Sequence, residues 1–184
     1  MKHDIIERHN FLDHETAAKL TDFRKYNSPH TFEGSNDFFE NKSFPANQTQ
    51  DTSVMCICST LKYRIAHVIS KHYNLKDVLF PDFTDLVQWH TGDEMGLHGD
   101  NAFYPSGDPN YVPHRTYSAV VYLNDDYEGG QTYFADGPEI EVEVGKMIAF
   151  PADIKYAHGV KKILSGQRYT LALWYTDSRD NYEI

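Results

Sequence analysis

Short strand-like segments separated by turns fill the second half of this chain, and they constrain its fold more than any other feature. β-Branched and aromatic residues dominate the strongest one, Tyr-Ser-Ala-Val-Val-Tyr-Leu at 117–123. The segments lie at 84–90, 117–123, 131–134, 140–144, 146–150, 158–161 and 169–175, and a turn is predicted at 93–96. Several short strands at this spacing predict a β-sandwich or a barrel.

The first part of the chain, to about residue 76, predicts helices instead. Asp13 is a good N-cap for a helix that contains Ala17, Leu20 and Phe23. A second helix is predicted at 52–73, where apolar residues form one stripe. Helices followed by strands predict an α+β fold that is mainly β, a double-stranded β-helix (jelly roll) core with the N-terminal helices packed on one face. The 184 residues suit one domain, in which 1–76 support a core of 77–184.

Charge and composition exclude some partners. The formal net charge is −10 without a long run of either sign, which argues against nucleic acids and anionic membranes and leaves neutral or basic polypeptides. Residues 1–10 lack an apolar signal core, and no stretch is long and apolar enough to span a bilayer. Cys56 and Cys58 lie two apart on a predicted helix and do not face each other, so we expect buried free thiols and a cytoplasmic protein.

The pattern of two histidines and one carboxylate in this chain predicts a metal site. His98 and Asp100 lie two residues apart, His158 comes from a later strand, and Arg168 follows ten residues after His158. Two histidines and one carboxylate on one face leave the opposite face of Fe(II) open for a co-substrate and O₂. The guanidinium of Arg168 could hold the far end of a dicarboxylate. The pattern favours an oxygenase.

A series of ordered phrases carries a family resemblance. They are Leu-Val-Gln-Trp at 86–89, His-Gly-Asp-Asn at 98–101, Arg-Thr-Tyr-Ser-Ala-Val-Val-Tyr-Leu-Asn-Asp-Asp at 115–126, Glu-Gly-Gly at 128–130, Gly-Lys-Met-Ile-Ala-Phe at 145–150, His-Gly-Val at 158–160, Gly-Gln-Arg at 166–168 and Leu-Ala-Leu-Trp-Tyr at 171–175. The stretch 85–176 resembles the Fe(II)- and 2-oxoglutarate-dependent dioxygenases of the prolyl hydroxylase type. Its phrases are similar to the catalytic domain of prolyl 3-hydroxylases.

The resemblance implies a catalytic set and its cofactors. His98, Asp100 and His158 would bind Fe(II), and Arg168 would pair with the C5 carboxylate of 2-oxoglutarate. O₂ would be the second co-substrate, and ascorbate is a candidate auxiliary reductant. The implied reaction hydroxylates a prolyl residue in a peptide or protein and converts 2-oxoglutarate to succinate and CO₂.

Five further residues are assigned to binding the co-substrate or the substrate. The resemblance implies that Tyr122 hydrogen-bonds the same carboxylate as Arg168. Thr170 lies two residues after Arg168 and shares its side of the strand. Trp89 stands where many relatives have a co-substrate tyrosine, and Met95 replaces another such tyrosine. Arg115 and Trp174 match positions that line the substrate groove in the family.

Several alternatives stay open. Tyr122 and Trp174 could be core aromatics, and Arg115 a surface arginine. The substrate could be a free amino acid or a small metabolite, with the loop 102–113 deciding what enters. A non-catalytic jelly-roll metal-binding module is the alternative from another class, but a purely structural metal site has no use for a clamp at Arg168. The site of hydroxylation on the ring and the oligomeric state also stay open.

Overall fold

The computed structural model describes residues 4–27, 39 and 41–183. Its helices are α1 His14–Tyr26 and α2 Thr52–Tyr73. Its strands are β1 Ile6–Arg8, β2 Phe80–His90, β3 Met95–His98, β4 Arg115–Tyr122, β5 Glu128–Gly129, β6 Thr132–Phe134, β7 Met147–Pro151, β8 His158–Val160, β9 Ile163–Ser165 and β10 Gln167–Thr176.

The strands form antiparallel sheets that pack face to face. The large sheet has five strands in the order β1-β7-β4-β10-β2, and the small sheet has three in the order β3-β8-β6. Strands β5 and β9 make a separate pair. Val87 and Ala172 of the large sheet pack in one apolar cluster with Val160 of the small sheet. This arrangement confirms the predicted jelly-roll fold class.

Both helices begin where a side chain caps them. Asp13 accepts a hydrogen bond from the Thr16 backbone N–H at 2.8 Å, and Asp51 accepts from the N–H groups of Ser53 and Val54. Each carboxylate satisfies N–H groups that have no partner inside the helix. The predicted cap at Asp13 and the predicted bounds of the second helix are confirmed.

The two faces of the large sheet have different neighbours. On β10, one set of alternate side chains packs in the core cluster that contains the helices, namely Tyr169, Leu171, Leu173 and Tyr175. The intervening set lines a cleft on the other face, namely Arg168, Thr170, Ala172 and Trp174. The period of two along a strand produces this division, and it places the helices behind the sheet and the cleft in front.

Some details of the sequence prediction are wrong. Residues 140–144 form no strand, because this segment gives β6 only a short contact, through Ile140 N–H to the Thr132 carbonyl and an isolated bridge at Glu139. The predicted turn at 93–96 is cut short because β3 begins at Met95. The helical expectation for the first part missed β1, which pairs with β7. Cys58 is buried as expected, but Cys56 is exposed.

In the described part of the chain, no helix combines the length and the apolar character that a bilayer crossing requires.

Candidate functional site

A cleft with an empty volume of about 550 Å³ lies between the large and small sheets. Most of its walls are apolar, and they include Val87, Trp89, Met95, Val160, Ala172 and Trp174. The polar groups are few, which is typical of a site that orients a ligand with a small number of contacts.

Three of these polar residues form a cluster at one wall. His98 and His158 lie opposite each other on β3 and β8, and Asp100 follows β3 by two residues. One ligand atom from each side chain lies within 4.8 Å of the others. The Nε2 atoms of both imidazoles are 3.7 Å from the Asp100 carboxylate. That gap is too long for a hydrogen bond, and an ion about 2 Å from each ligand would fill it.

Backbone carbonyls determine how the two imidazoles are oriented. Nδ1 of His98 lies 3.1 Å from the Gly96 carbonyl, and Nδ1 of His158 lies 3.0 Å from the Tyr156 carbonyl. Because a carbonyl only accepts, each Nδ1 carries the proton and donates it. Each Nε2 therefore presents its lone pair to the cluster, as metal-binding histidines do.

The charges in the cluster also suit a cation. Burial, and then the proximity of His98, lower the pKa of His158 to about 4, so this imidazole is neutral near neutral pH. Burial of Asp100 opposes its ionisation, but the interactions with His158 and His98 help to hold the pKa of its carboxyl below the usual value. Neutral imidazoles and an ionised carboxylate are the forms that bind metals.

Ser118 orients the carboxylate of the cluster. Its hydroxyl donates a hydrogen bond of 2.5 Å to Oδ2 of Asp100, and both residues are buried. Sequence reasoning missed this contact. Its signal was a hydroxyl on the same side of β4 as Val120, in an otherwise apolar strand. The residues present fit a two-histidine, one-carboxylate site for Fe(II).

Arg168 lies in the same cleft and is buried, with 2% of its surface exposed. It is opposite Trp89 in the register of β10 and β2, and its guanidinium carbon lies 5.4 Å from the ring centre of Trp89. One of its amino groups donates a long hydrogen bond of 3.4 Å to Thr132, while its Nε is buried without a partner in the described chain. A buried cation in this state suits an anionic ligand.

The other residues assigned to the co-substrate occupy different positions. Thr170 lines the cleft beside Arg168. Tyr122 is fully buried behind the lining, with its ring centre 5.4 Å from the guanidinium carbon of Arg168. Its hydroxyl donates to Thr132 at 2.8 Å. Thr132 lines the cleft and is a second residue that sequence reasoning missed. It lies two residues after Gly130, within reach of the Glu-Gly-Gly phrase at 128–130.

Of the two residues assigned to the substrate groove, Trp174 lines the cleft and Arg115 does not. The guanidinium carbon of Arg115 lies 4.5 Å from the ring centre of Trp174, and its Nε donates to Asp82 at 2.8 Å. His114 contacts the other oxygen of Asp82, at 2.9 Å. Arg115 therefore contributes to the cleft through Trp174, whose ring it holds from outside.

Comparison with protein families identifies the chain's relatives. The family model of the 2OG-Fe(II) oxygenase superfamily matches residues 84–176, which are half of the chain. Prolyl 3-hydroxylase 1 of Gallus gallus is 27% identical over 134 residues, which are 61% of this chain and 18% of that protein. Prolyl 3-hydroxylase 2 of Rattus norvegicus is 29% identical over 130 residues, 59% of this chain and 18% of that protein. The match thus spans about a fifth of these relatives.

Solved structures share the fold. The viral collagen prolyl hydroxylase vCPH from Paramecium Bursaria Chlorella virus-1, in complex with 2OG, superposes with a TM-score of 0.69 and 16% identity, covering 95% of this chain and 96% of that one. A prolyl-4-hydroxylase of Pseudomonas putida gives a TM-score of 0.66 and 19% identity, covering 95% and 92%. At these identities the similarity establishes the jelly-roll fold.

Proposed function

Because the chain belongs to the 2OG-Fe(II) oxygenase superfamily, whose enzymes use Fe(II), 2-oxoglutarate and O₂, we propose that it hydroxylates a prolyl residue in a peptide or protein. The observation that carries this proposal is one cleft that holds both a cluster of three metal-ligand side chains and the buried guanidinium of Arg168. Hydroxylation would be coupled to the decarboxylation of 2-oxoglutarate to succinate and CO₂.

His98, Asp100 and His158 would hold the iron and leave adjacent positions open. When bound, the iron and 2-oxoglutarate supply the activation of O₂ that an inert C–H bond requires. The chain's own task is to position the reactants and to exclude water. Ser118 would keep the Asp100 carboxylate in one orientation.

Arg168 would bind the distal carboxylate of 2-oxoglutarate. Thr170 adds a hydroxyl at the same wall, and Trp89 covers the guanidinium from one side. Tyr122 would support this end from behind the lining through Thr132, to which its hydroxyl donates. The buried position strengthens a charge-assisted pair, because little water competes for the charges.

A prolyl substrate is favoured by the aromatic surface near the metal cluster. The loop that follows Asp100 exposes Phe103, Tyr104 and Tyr111, with 45%, 43% and 92% of their surfaces accessible. Trp174 adds an aromatic wall inside the cleft. Aromatic surfaces bind extended proline-rich segments well, and the net charge of −10 favours neutral or basic peptides. The similarity to prolyl 3-hydroxylases supports the same substrate class.

The test measures succinate and peptide mass together. Purified protein receives Fe(II), ascorbate, 2-oxoglutarate and air, with and without a library of proline-containing peptides. We expect succinate and a gain of about 16 Da on proline, both dependent on every component. Asp100→Ala should abolish both products while the circular dichroism spectrum stays unchanged.

Other outcomes redirect or reject the proposal. Succinate without a peptide product would reject the peptides tested and direct the search to free amino acids and small metabolites. Equal mass gain in the Asp100→Ala variant would show that the product does not come from this site.

A further inference from the structure

Two buried polar atoms without hydrogen-bond partners lie close together behind the cleft. In the described part of the chain, three buried side-chain atoms have no partner, and two of them are the Tyr127 hydroxyl and Arg168 Nε. A Cβ added to Gly130 would lie 2.9 Å from the Tyr127 ring and 3.2 Å from Arg168 Cδ. Both side chains therefore lie beside the open face of Gly130, close to each other.

Unpaired donors at a buried position destabilise the free protein. A group that satisfies both must accept two hydrogen bonds, because the guanidinium only donates and the tyrosine has a proton to give. Burial raises the pKa of Tyr127 to about 12 although Arg168 opposes the shift, so the hydroxyl keeps its proton. A carboxylate accepts only, and its two oxygens can serve both donors.

The position of Tyr127 relates it to the cleft. Its ring packs against the apolar cluster that includes Val87, Trp89, Val160 and Ala172, and these four side chains line the cleft. The hydroxyl of Tyr122, by contrast, already donates to Thr132 at 2.8 Å. Tyr127 lies behind these lining residues and has a free donor beside Arg168, whereas the single proton of Tyr122 is in use.

We propose that the Tyr127 hydroxyl binds the distal carboxylate of 2-oxoglutarate together with Arg168 Nε, so that Tyr127 helps to select a 2-oxo acid with a second carboxylate. This proposal rests on the role proposed above for Arg168. It assigns to Tyr127 the hydrogen bond that the family resemblance implies for Tyr122. The acidic turn at 124–130, which contains Tyr127 between Asp126 and Glu128, then takes part in co-substrate recognition.

The test compares two ligands that differ at the distal end. 2-Oxoglutarate and 2-oxopentanoate, which lacks the distal carboxylate, are titrated into the Mn(II)-loaded protein without peptide, and dissociation constants are measured by calorimetry. We expect Tyr127→Phe to bind 2-oxoglutarate about ten- to a hundredfold more weakly, which is the loss of one hydrogen bond to a charged group. Its affinity for 2-oxopentanoate should equal that of the wild type.

A matched variant controls for loss of a tyrosine hydroxyl elsewhere. Tyr169 lies on the helix face of β10, where its hydroxyl contacts Gln167 at 2.6 Å. Tyr169→Phe should leave both dissociation constants unchanged. Tyr122→Phe should weaken 2-oxoglutarate binding less than Tyr127→Phe does.

Three results would overturn the proposal. If Tyr127→Phe binds 2-oxoglutarate as the wild type does, a water molecule and not the co-substrate satisfies the two donors. If the variant loses both ligands equally, Tyr127 has only a structural role. If Arg168→Met also fails to change the preference for 2-oxoglutarate, the carboxylate site itself is misassigned. The measurement uses no peptide, so its outcome is independent of whether proline is the substrate.

Discussion

Replacing Arg168 by methionine should weaken 2-oxoglutarate binding strongly without destabilising the fold. The side chain is 2% exposed, and no carboxylate in the described ranges lies within 4.0 Å of its guanidinium. Its neighbours include the Thr132 hydroxyl, at 3.4 Å, the rings of Trp89 and Tyr122, and the side chain of Tyr127. The free protein therefore carries the cost of burying this cation, and in the proposed function the anionic partner arrives with the co-substrate.

The size of the effect follows from this burial. Removing one member of a buried, hydrogen-bonded charge pair costs about 2–5 kcal/mol, and each 1.4 kcal/mol is about tenfold in affinity. The dissociation constant for 2-oxoglutarate should rise by about thirtyfold to several thousandfold. On the stability side, methionine leaves no acid unpaired and keeps apolar contact with Trp89 and Tyr122. The free energy of unfolding should change by less than about 1 kcal/mol, or increase.

Two parallel measurements check this prediction. Calorimetric titration of 2-oxoglutarate into Mn(II)-loaded protein gives the affinity, and urea unfolding of the metal-free protein gives the stability. Arg168→Lys keeps the charge without the planar fork and should lose less affinity than Arg168→Met. A methionine variant that is destabilised by more than about 3 kcal/mol but binds within about threefold of the wild type would refute the reasoning and make Arg168 a structural cation.

Three further predictions concern the metal cluster and the core. Ser118→Ala should weaken metal binding about ten- to a hundredfold because Asp100 loses the hydrogen bond that orients it, whereas Ser118→Thr keeps the hydroxyl. Competition with a fluorescent chelator measures the metal affinity of both variants, and an alanine variant that binds the metal as tightly as the threonine variant would exclude the orienting role. Burial raises the pKa of Asp85 to about 6, above its value of about 3.9 in the unfolded chain. The free energy of unfolding of the wild type should therefore fall by about 3 kcal/mol relative to that of Asp85→Asn as the pH rises from about 4 to 6. Chemical unfolding of both proteins across this range measures the difference, and a wild type that gains stability relative to the variant at higher pH would contradict the prediction. Gly159→Ala should destabilise the small sheet by about 1–3 kcal/mol, because a Cβ would lie 2.5 Å from the Met95 carbonyl oxygen; an unchanged melting temperature would contradict this.

The sequence predicted the fold wherever local signals agreed with the tertiary structure. The cap at Asp13 and the apolar stripe of the second helix depend on residues within one or two turns, so they could be recognised directly. Strand β1 could not, because it consists of only three residues and is stabilised by pairing with β7. The segment 140–144 shows the reverse case, in which an apolar alternation exists but the partner strand is too short to extend the ladder.

The residues of the candidate site also separate into those that local sequence patterns predicted and those that depend on the tertiary structure. The position of Thr170 beside Arg168 followed from the period of two along a strand, and the structure places both in the cleft. The contacts of Tyr122 could not be derived, because Thr132 reaches its hydroxyl from a different strand. The burial of the Tyr127 hydroxyl could not be predicted, because its acidic neighbours in the turn at 124–130 are typical of a solvent-exposed segment. This hydroxyl is buried because the chain folds back at Gly130, where φ is +68°, and that return is a property of the tertiary structure.

The two faces of the large sheet explain how the fold tolerates a costly site. A shift of one residue in the register of β10 would exchange its core and cleft side chains, so the burial of Leu171 and Leu173 against the helices selects the register that sends Arg168 into the cleft. The apolar face is fully occupied, with both leucines 0% exposed, and it supplies stability independently of what lies in front. A buried cation and two unpaired donors can therefore persist in the free protein. A co-substrate with a second carboxylate satisfies these donors, and the free energy recovered then favours its binding over that of a 2-oxo acid without one.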